Sequence, residues 1–332
     1  MSEQLRPRSG LWLLRELGTA AFLVLLCVML AAIQPAFLDR ENIKNVLVQV
    51  SYTAIAAVGM TLVILSAGID LSVGSVLAFS GCCGTLVGLQ LANSGVAWIA
   101  NSGLAVVLGI SVSLAVGALC GLVNGLLITR LSLPPFIMTL GMMSVARGLA
   151  FVVSNSQPVK VIDGMRQIAR ARPLDLPLPI ILMTATFLIG WAIQRHTRVG
   201  RYATAIGGNE EAARLSGVRI DLYKIAVYTI CGFLSAISGL IIAGRLAYMQ
   251  PQEGDGFELE VIAAVVIGGT SLYGGEGSII GTLLGTLIIG AVRNGLDLMG
   301  MQYNLQKIII GAIIIAAVSL DVLAKRIAER KS

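Results

Sequence analysis

A chain of 332 residues with 56% hydrophobic and only 13% charged residues carries more apolar surface than a water-soluble core of that size can hide. The net charge of +6 does not indicate nucleic acid: Lys and Arg gather in short hydrophilic gaps between apolar runs and form no stripe with interleaved aromatics. The five cysteines, Cys27, Cys82, Cys83, Cys120 and Cys231, all lie in apolar runs without CxxC spacing, so neither a disulfide framework nor a metal site is expected. His196 is the only histidine, so a catalytic triad would have to be built around it, and it is read as a solvated loop residue.

In chain order, Arg6, Arg8 and Arg15 precede an apolar run over 17–33, read as an uncleaved first helix because no small-x-small cleavage pattern closes it. A membrane-crossing helix needs about 20 mainly apolar residues. On that criterion, spans are predicted at 17–38, 44–66, 71–91, 103–129 and 134–153, then at 176–194, 225–248, 258–273, 277–296 and 304–324. The expected fold is an all-α, polytopic transmembrane bundle of about ten spans. The weakest members are the short 258–273 segment and the glycine-broken junction at 67–70, either of which suits a re-entrant half helix.

An even number of spans puts both termini on one side. Lys325, Arg326, Arg330 and Lys331 agree with the N-terminal arginines that this side is the cytoplasm. The expected organisation is therefore a cytoplasmic tail over 1–16, a transmembrane domain over 17–324 and a cytoplasmic tail over 325–332. The basic loop over 195–224, with Arg198, Arg201, Arg214 and Arg219, counts as inside too. The 154–175 loop counts as outside although it carries Lys160, Arg166, Arg170 and Arg172, an exception to the rule.

An internal echo suggests a degenerate two-half architecture. Ile55-Ala56-Ala57-Val58 precedes Ser72-Val73-Gly74-Ser75 much as Ile262-Ala263-Ala264-Val265 precedes Gly275-Glu276-Gly277-Ser278. An Asn-Gly-Leu triplet at Asn124 recurs at Asn294, out of register with the first echo. Gly117, Gly121 and Gly125 form one four-residue ladder and Gly277, Gly281 and Gly285 another, each a flat face for close helix packing. A dinucleotide loop at Gly275 fails because residue 280 is Ile, and none of the six lysines follows a glycine, so there is no Walker A motif.

The loop over 207–217 reads Gly-Gly-Asn-Glu-Glu-Ala-Ala-Arg-Leu-Ser-Gly. Asn209 can cap a short helix, Glu210 and Glu211 occupy its dipole-favoured first turn, and Gly217 can end it. Such a helix, flanked by arginines, suits a docking handle for a soluble partner; a plain connection between spans is the alternative.

That loop, with Gly68-Ile69-Asp70-Leu71-Ser72-Val73-Gly74-Ser75, Phe136-Ile137-x-Thr139-Leu140-Gly141-Met142, Ala146-Arg147-Gly148 and the run from Ile262 to Leu272, closely resembles the permease subunit of bacterial ribose-type sugar importers of the ATP-binding cassette superfamily. Branched-chain amino acid permeases are more distant relatives. The resemblance covers residues 40–320 and implies a multi-pass permease of the bacterial inner membrane. Its implied partners are a second permease copy or paralogue, a cytoplasmic ATPase with two nucleotide-binding domains, and a periplasmic sugar-binding protein. ATP and Mg would be bound by the ATPase, with no cofactor and no catalytic residue in this chain. By residue match, Gly208, Asn209, Glu210, Ala212, Ala213 and Gly217 would contact the ATPase.

Asp70 is expected to cap a helix starting at Leu71 or to line the pathway. Arg147 lies in an apolar run, where it either snorkels to outer headgroups or faces the pathway. Asn124, Glu258, Glu260 and Asn294 could face a polar route or make helix-end and interhelical hydrogen bonds. The rival function is an ion-coupled secondary transporter or channel, which would need intramembrane charges that are sparse here; an importer permease for another small polar solute is the minor one. A membrane enzyme lacks a clustered catalytic set.

Overall fold

The computed structural model describes residues 9–95, 103–302, 304–313, 315, 316 and 319. The tail over 325–332 and the arginines at 6 and 8 lie outside the described residues. The chain is a helical membrane bundle. Helices α1 (Ser9–Ile33), α2 (Arg40–Leu65), α3 (Val73–Ala92), α4 (Leu104–Arg130) and α5 (Pro135–Val153) form the first half. A short amphipathic helix α6 (Asp163–Arg170) follows, then α7 (Leu178–His196), α8 (Arg198–Gly208), α9 (Glu210–Leu215), α10 (Ile220–Leu246), α11 (Phe257–Ile267) and α12 (Ile279–Leu298). The apolar helix α13 (Asn304–Ile313) closes the described chain.

Eight of the described helices, α1 to α5, α7, α10 and α12, are long and apolar enough to cross a membrane. Ten spans were expected. The segment over 258–273 is the 11-residue α11, about 16 Å long at about 1.5 Å per residue, too short for a hydrocarbon layer of about 30 Å. It fails to span because Gly268 and Gly269 end it, with Gly269 at a φ of +89°. Of the expected span at 304–324, the described residues are those of α13 together with 315, 316 and 319.

The bundle is organised around α2, whose residues from 50 onward are nearly all buried. Its apolar residues lie all round the helix, as a helix enclosed by others requires. The first glycine ladder packs α4 against α10. A Cβ on Gly117 would come 2.5 Å from the Gly232 carbonyl oxygen, and one on Gly125 would come 2.6 Å from the Ile225 Cα. In the second ladder, Gly281 and Gly285 abut the carbonyls of Gly268 and Ala264, pressing α12 onto α11. Both flat faces thus meet neighbours within the same chain.

The echo between the halves has a structural counterpart. Each tetrapeptide sits in a helix (α2, α11) that stops at a break, and a second helix (α3, α12) starts beyond it. The breaks, 66–72 and 268–278, touch: the Gly275 N–H donates to the Leu65 carbonyl at 3.0 Å. The 154–175 loop lies at the other end of α10 from α9. There, β1 (Val159–Lys160) pairs antiparallel with β2 (Tyr248–Met249), and α6 packs on α10, with Ala169 beside Gly244.

Candidate functional site

The connection between α7 and α10 is built from local signals. The Asn209 side chain accepts from the Ala212 N–H at 2.9 Å, and Gly217 turns left-handed at a φ of +80° while the Val218 N–H closes onto the Ala213 carbonyl at 3.1 Å. Ala213 is buried with Ile206 and Ile220, so α9 rests on α8 and the start of α10. The Glu210 carboxylate bridges Arg214 at 3.1 Å and Lys224 at 2.6 Å, strapping α9 to α10. Partial burial raises the Glu210 pKa, but the bonded and nearby charges of Lys224 and Arg214 outweigh it and hold the carboxyl below its ordinary value. The remaining face is open: Gly208, Ala212 and Gly217 are exposed, and Leu215 is 84% exposed.

This connection reaches both breaks. Gly207, in the last turn of α8, lies against the Leu65 carbonyl, and a Cβ there would come 2.5 Å from the Gly275 nitrogen. A Cβ on Gly275 would in turn come 2.7 Å from the Gly208 Cα. Displacing α8 and α9 therefore pushes directly on the ends of α2 and of the 268–278 break. The second break is further tied to α7 by Gln194, whose amide donates to the Gly277 carbonyl at 2.8 Å and accepts from the Ile279 N–H at 3.0 Å.

Asp70 lies within the first break, 1% exposed. The helix beyond it starts at Val73, not Leu71, and Ser72 holds the cap position. Asp70 therefore does not cap the helix; its carboxylate makes a local turn, accepting from the Ser72 N–H at 2.9 Å and the Ser72 hydroxyl at 2.6 Å. Asn124 crosses from α4 to donate to the Ser72 hydroxyl at 3.0 Å. The Ile69 carbonyl accepts from Thr139 at 3.3 Å and Tyr228 at 3.4 Å, so α4, α5 and α10 all hold this break.

Arg147 does not snorkel. Its guanidinium donates to the carbonyls of Pro251 at 2.6 Å and Glu253 at 2.7 Å, fastening the turn that leads into α11. Glu258 opens α11 with a carboxylate oxygen 2.6 Å from where a Gly74 Cβ would stand. Glu260 accepts from Arg293 at 3.0 Å and from Thr53 at 3.2 Å, joining α12 and α2. Asn294 and Asn42 exchange reciprocal amide hydrogen bonds at 2.9 Å. Of the six residues read as pathway or structural, Asp70 and Asn124 meet at the first break, Arg147, Glu258 and Glu260 cluster around the entry to α11, and Asn294 stands apart as a helix-to-helix clasp.

A family model described as the permease component of the branched-chain amino acid transport system matches residues 42–318. The chain belongs to this permease family. It is 42% identical over 316 residues to the ribose import permease protein of Escherichia coli K12, covering 93% of this chain and 94% of that one. It is 36% identical to the D-allose transport system permease protein of the same organism, over 92% and 90% of the two chains. To the fructose import permease protein of Rhizobium meliloti it is 35% identical, over 88% and 81%. No solved structure matches it. The match spans both breaks and the connection between them, so the permease family and the multi-pass membrane architecture agree.

Proposed function

We propose that this chain is the translocating subunit of an ATP-driven importer of a monosaccharide, working in the inner membrane of a bacterium. Both termini and the 195–224 connection face the cytoplasm. An ATPase with two nucleotide-binding domains hydrolyses Mg-ATP and docks on α8 and α9, and a periplasmic sugar-binding protein delivers the solute to the opposite end. A second copy or a paralogue completes the membrane portion.

One observation carries this reading: the exposed, self-capped α9 is backed by Gly207 and Gly208, which press on both helix breaks at once. A partner that moves α9 by a few ångströms moves the ends of two helix pairs, as alternating access requires. The substrate class is supported by relatives named for ribose import, D-allose transport and fructose import.

The test replaces Asn209 and Glu210 with Ala, retains membrane expression, and measures ATP-dependent uptake in vesicles supplied with the binding protein. Coupled uptake is expected to be lost while the variant still reaches the membrane. Undiminished uptake would refute docking on α9, and uptake by the chain alone, abolished by a protonophore, would refute the ATP-driven reading.

A further inference from the structure

A cavity of about 370 Å³ lies between α10, the turn into α11, α12 and α13, within the range of about 300–1,000 Å³ for small-molecule sites. Its lining joins residues far apart in the chain. Tyr52 and Phe257 form one wall, their ring centroids 6.2 Å apart and their planes tilted by 34°. Around them stand the carboxylates Glu253, Asp255 and Glu260 and the cations Arg245, Arg293 and Lys307.

We infer that this cavity is a binding station for a neutral polyhydroxy solute, a monosaccharide on its way through the permease; the inference rests on the sugar-importer reading above. Three features specify that chemistry. Each hydroxyl of a sugar both donates and accepts, and the lining offers acceptor-only carboxylates beside donor-only guanidinium and ammonium groups. Three negative and three positive side chains leave no net charge, so the lining sets up no single-sign field that would favour an anion or a cation over a neutral polar molecule. The aromatic wall gives the C–H face of a sugar ring an apolar surface within the same site.

The groups are also held in place. Glu260 is fixed by Arg293 at 3.0 Å and by Thr53 at 3.2 Å, while the turn carrying Glu253 and Asp255 is fastened by Arg147. Arg147 thus acts as a positioning residue for the station without lining it. The same turn packs its Gly254 against Gly74 at the start of α3, so a conformational change at the first break alters the station's wall.

The experiment uses the complete importer in proteoliposomes with ATP and its binding protein. Initial uptake of D-ribose, D-allose, L-arabinose and D-fructose is measured for the wild type and for Glu260→Gln and Asp255→Asn. Wild-type uptake of one of these sugars tests the importer reading separately. Given such uptake, each substitution is expected to lower it about tenfold or more, as for loss of one hydrogen bond to a charged group. It should also shift the ratio between D-ribose and D-allose, whose pyranose forms differ by one hydroxymethyl group. Asp255 is exposed, so Asp255→Asn tests the station with little risk to folding. Unchanged uptake in both variants, or equal loss of all sugars together with ATPase activity, would overturn the assignment.

Discussion

Gly207 and Gly208 are neighbours in the last turn of α8, yet opposite responses are expected when each is replaced by Ala. A Cβ at 207 would press on the Leu65 carbonyl and lie 2.5 Å from the Gly275 nitrogen. Both atoms are backbone, and they are the acceptor and donor of the 3.0 Å hydrogen bond that joins the two breaks. No rotamer change relieves such a clash, so the breaks must separate. Overpacking costs about 1–3 kcal/mol, and loss of the shared hydrogen bond adds about 0.5–1.5 kcal/mol. At 208 an added Cβ meets nothing within 4 Å, and Gly to Ala in a helix stabilises by up to about 1 kcal/mol. Thermal unfolding of the purified permease in detergent measures both, and the ratio of sugar transported to ATP hydrolysed measures coupling. Gly207→Ala is expected to lower the unfolding midpoint and the coupling ratio, whereas Gly208→Ala leaves the midpoint equal or higher. Equal stability of the two variants would refute the claim that α8 bears on the breaks at Gly207.

The Asn42–Asn294 clasp predicts that either single Ala variant loses about 1–3 kcal/mol, because the remaining amide is left partly buried without its partner; the double variant should cost less than the sum, as a four-form unfolding cycle would show. Arg147→Met should release the turn before α11, raising amide hydrogen exchange over 251–257, with each lost charge-assisted bond worth about 1.5–3 kcal/mol; unchanged exchange there would argue against the clamp. The depressed Glu210 pKa gives a signed pH effect. Its contribution is present above the ordinary carboxylate pKa, near 4.3, and is lost as pH falls through the lower folded value. Because that carboxylate is partly exposed, solvent screening keeps the bridges to about 0–1 kcal/mol, so acid should loosen α9 in the wild type but not in Glu210→Gln, read by proteolysis near residue 215.

What was legible in the sequence was local. Asn209, the acidic first turn and Gly217 fix α9 through bonds spanning a few residues, so the pattern alone places it. The 67–70 junction was readable for the same reason, since Gly68 with Asp70 two residues on interrupts an apolar helix. The exact extent of 258–273 was only half legible: the Gly268-Gly269 pair marks a stop and suits a re-entrant half helix, but apolar composition on both sides of it let the segment be counted as a span, whereas the helix ends at 11 residues. The partners of Arg147, Glu260 and Asn294 lie 33 to 252 residues away, a distance no spacing rule reaches. Gln194 and Leu215 are legible only as misfits, a glutamine in the last turn of an apolar helix and a leucine in a charged loop. The asparagine triplets at 124 and 294 share a sequence but not a role, because one steadies a break and the other clasps two helix ends.

The enclosure of α2 has a consequence for how the protein is made. Nearly everything that surrounds it is synthesised much later: Gly190 of α7 meets Val58, Cys231 of α10 meets Gly59, and Thr282 of α12 bonds Thr61 at 2.7 Å. When residues 40–65 emerge, those partners do not yet exist, and a helix carrying Ser51, Thr53 and Thr61 must wait in lipid or beside the insertion machinery. Its transfer from lipid to protein contact is thus a late step of biogenesis, and a chain truncated before α10 would leave the centre of the bundle as its outside.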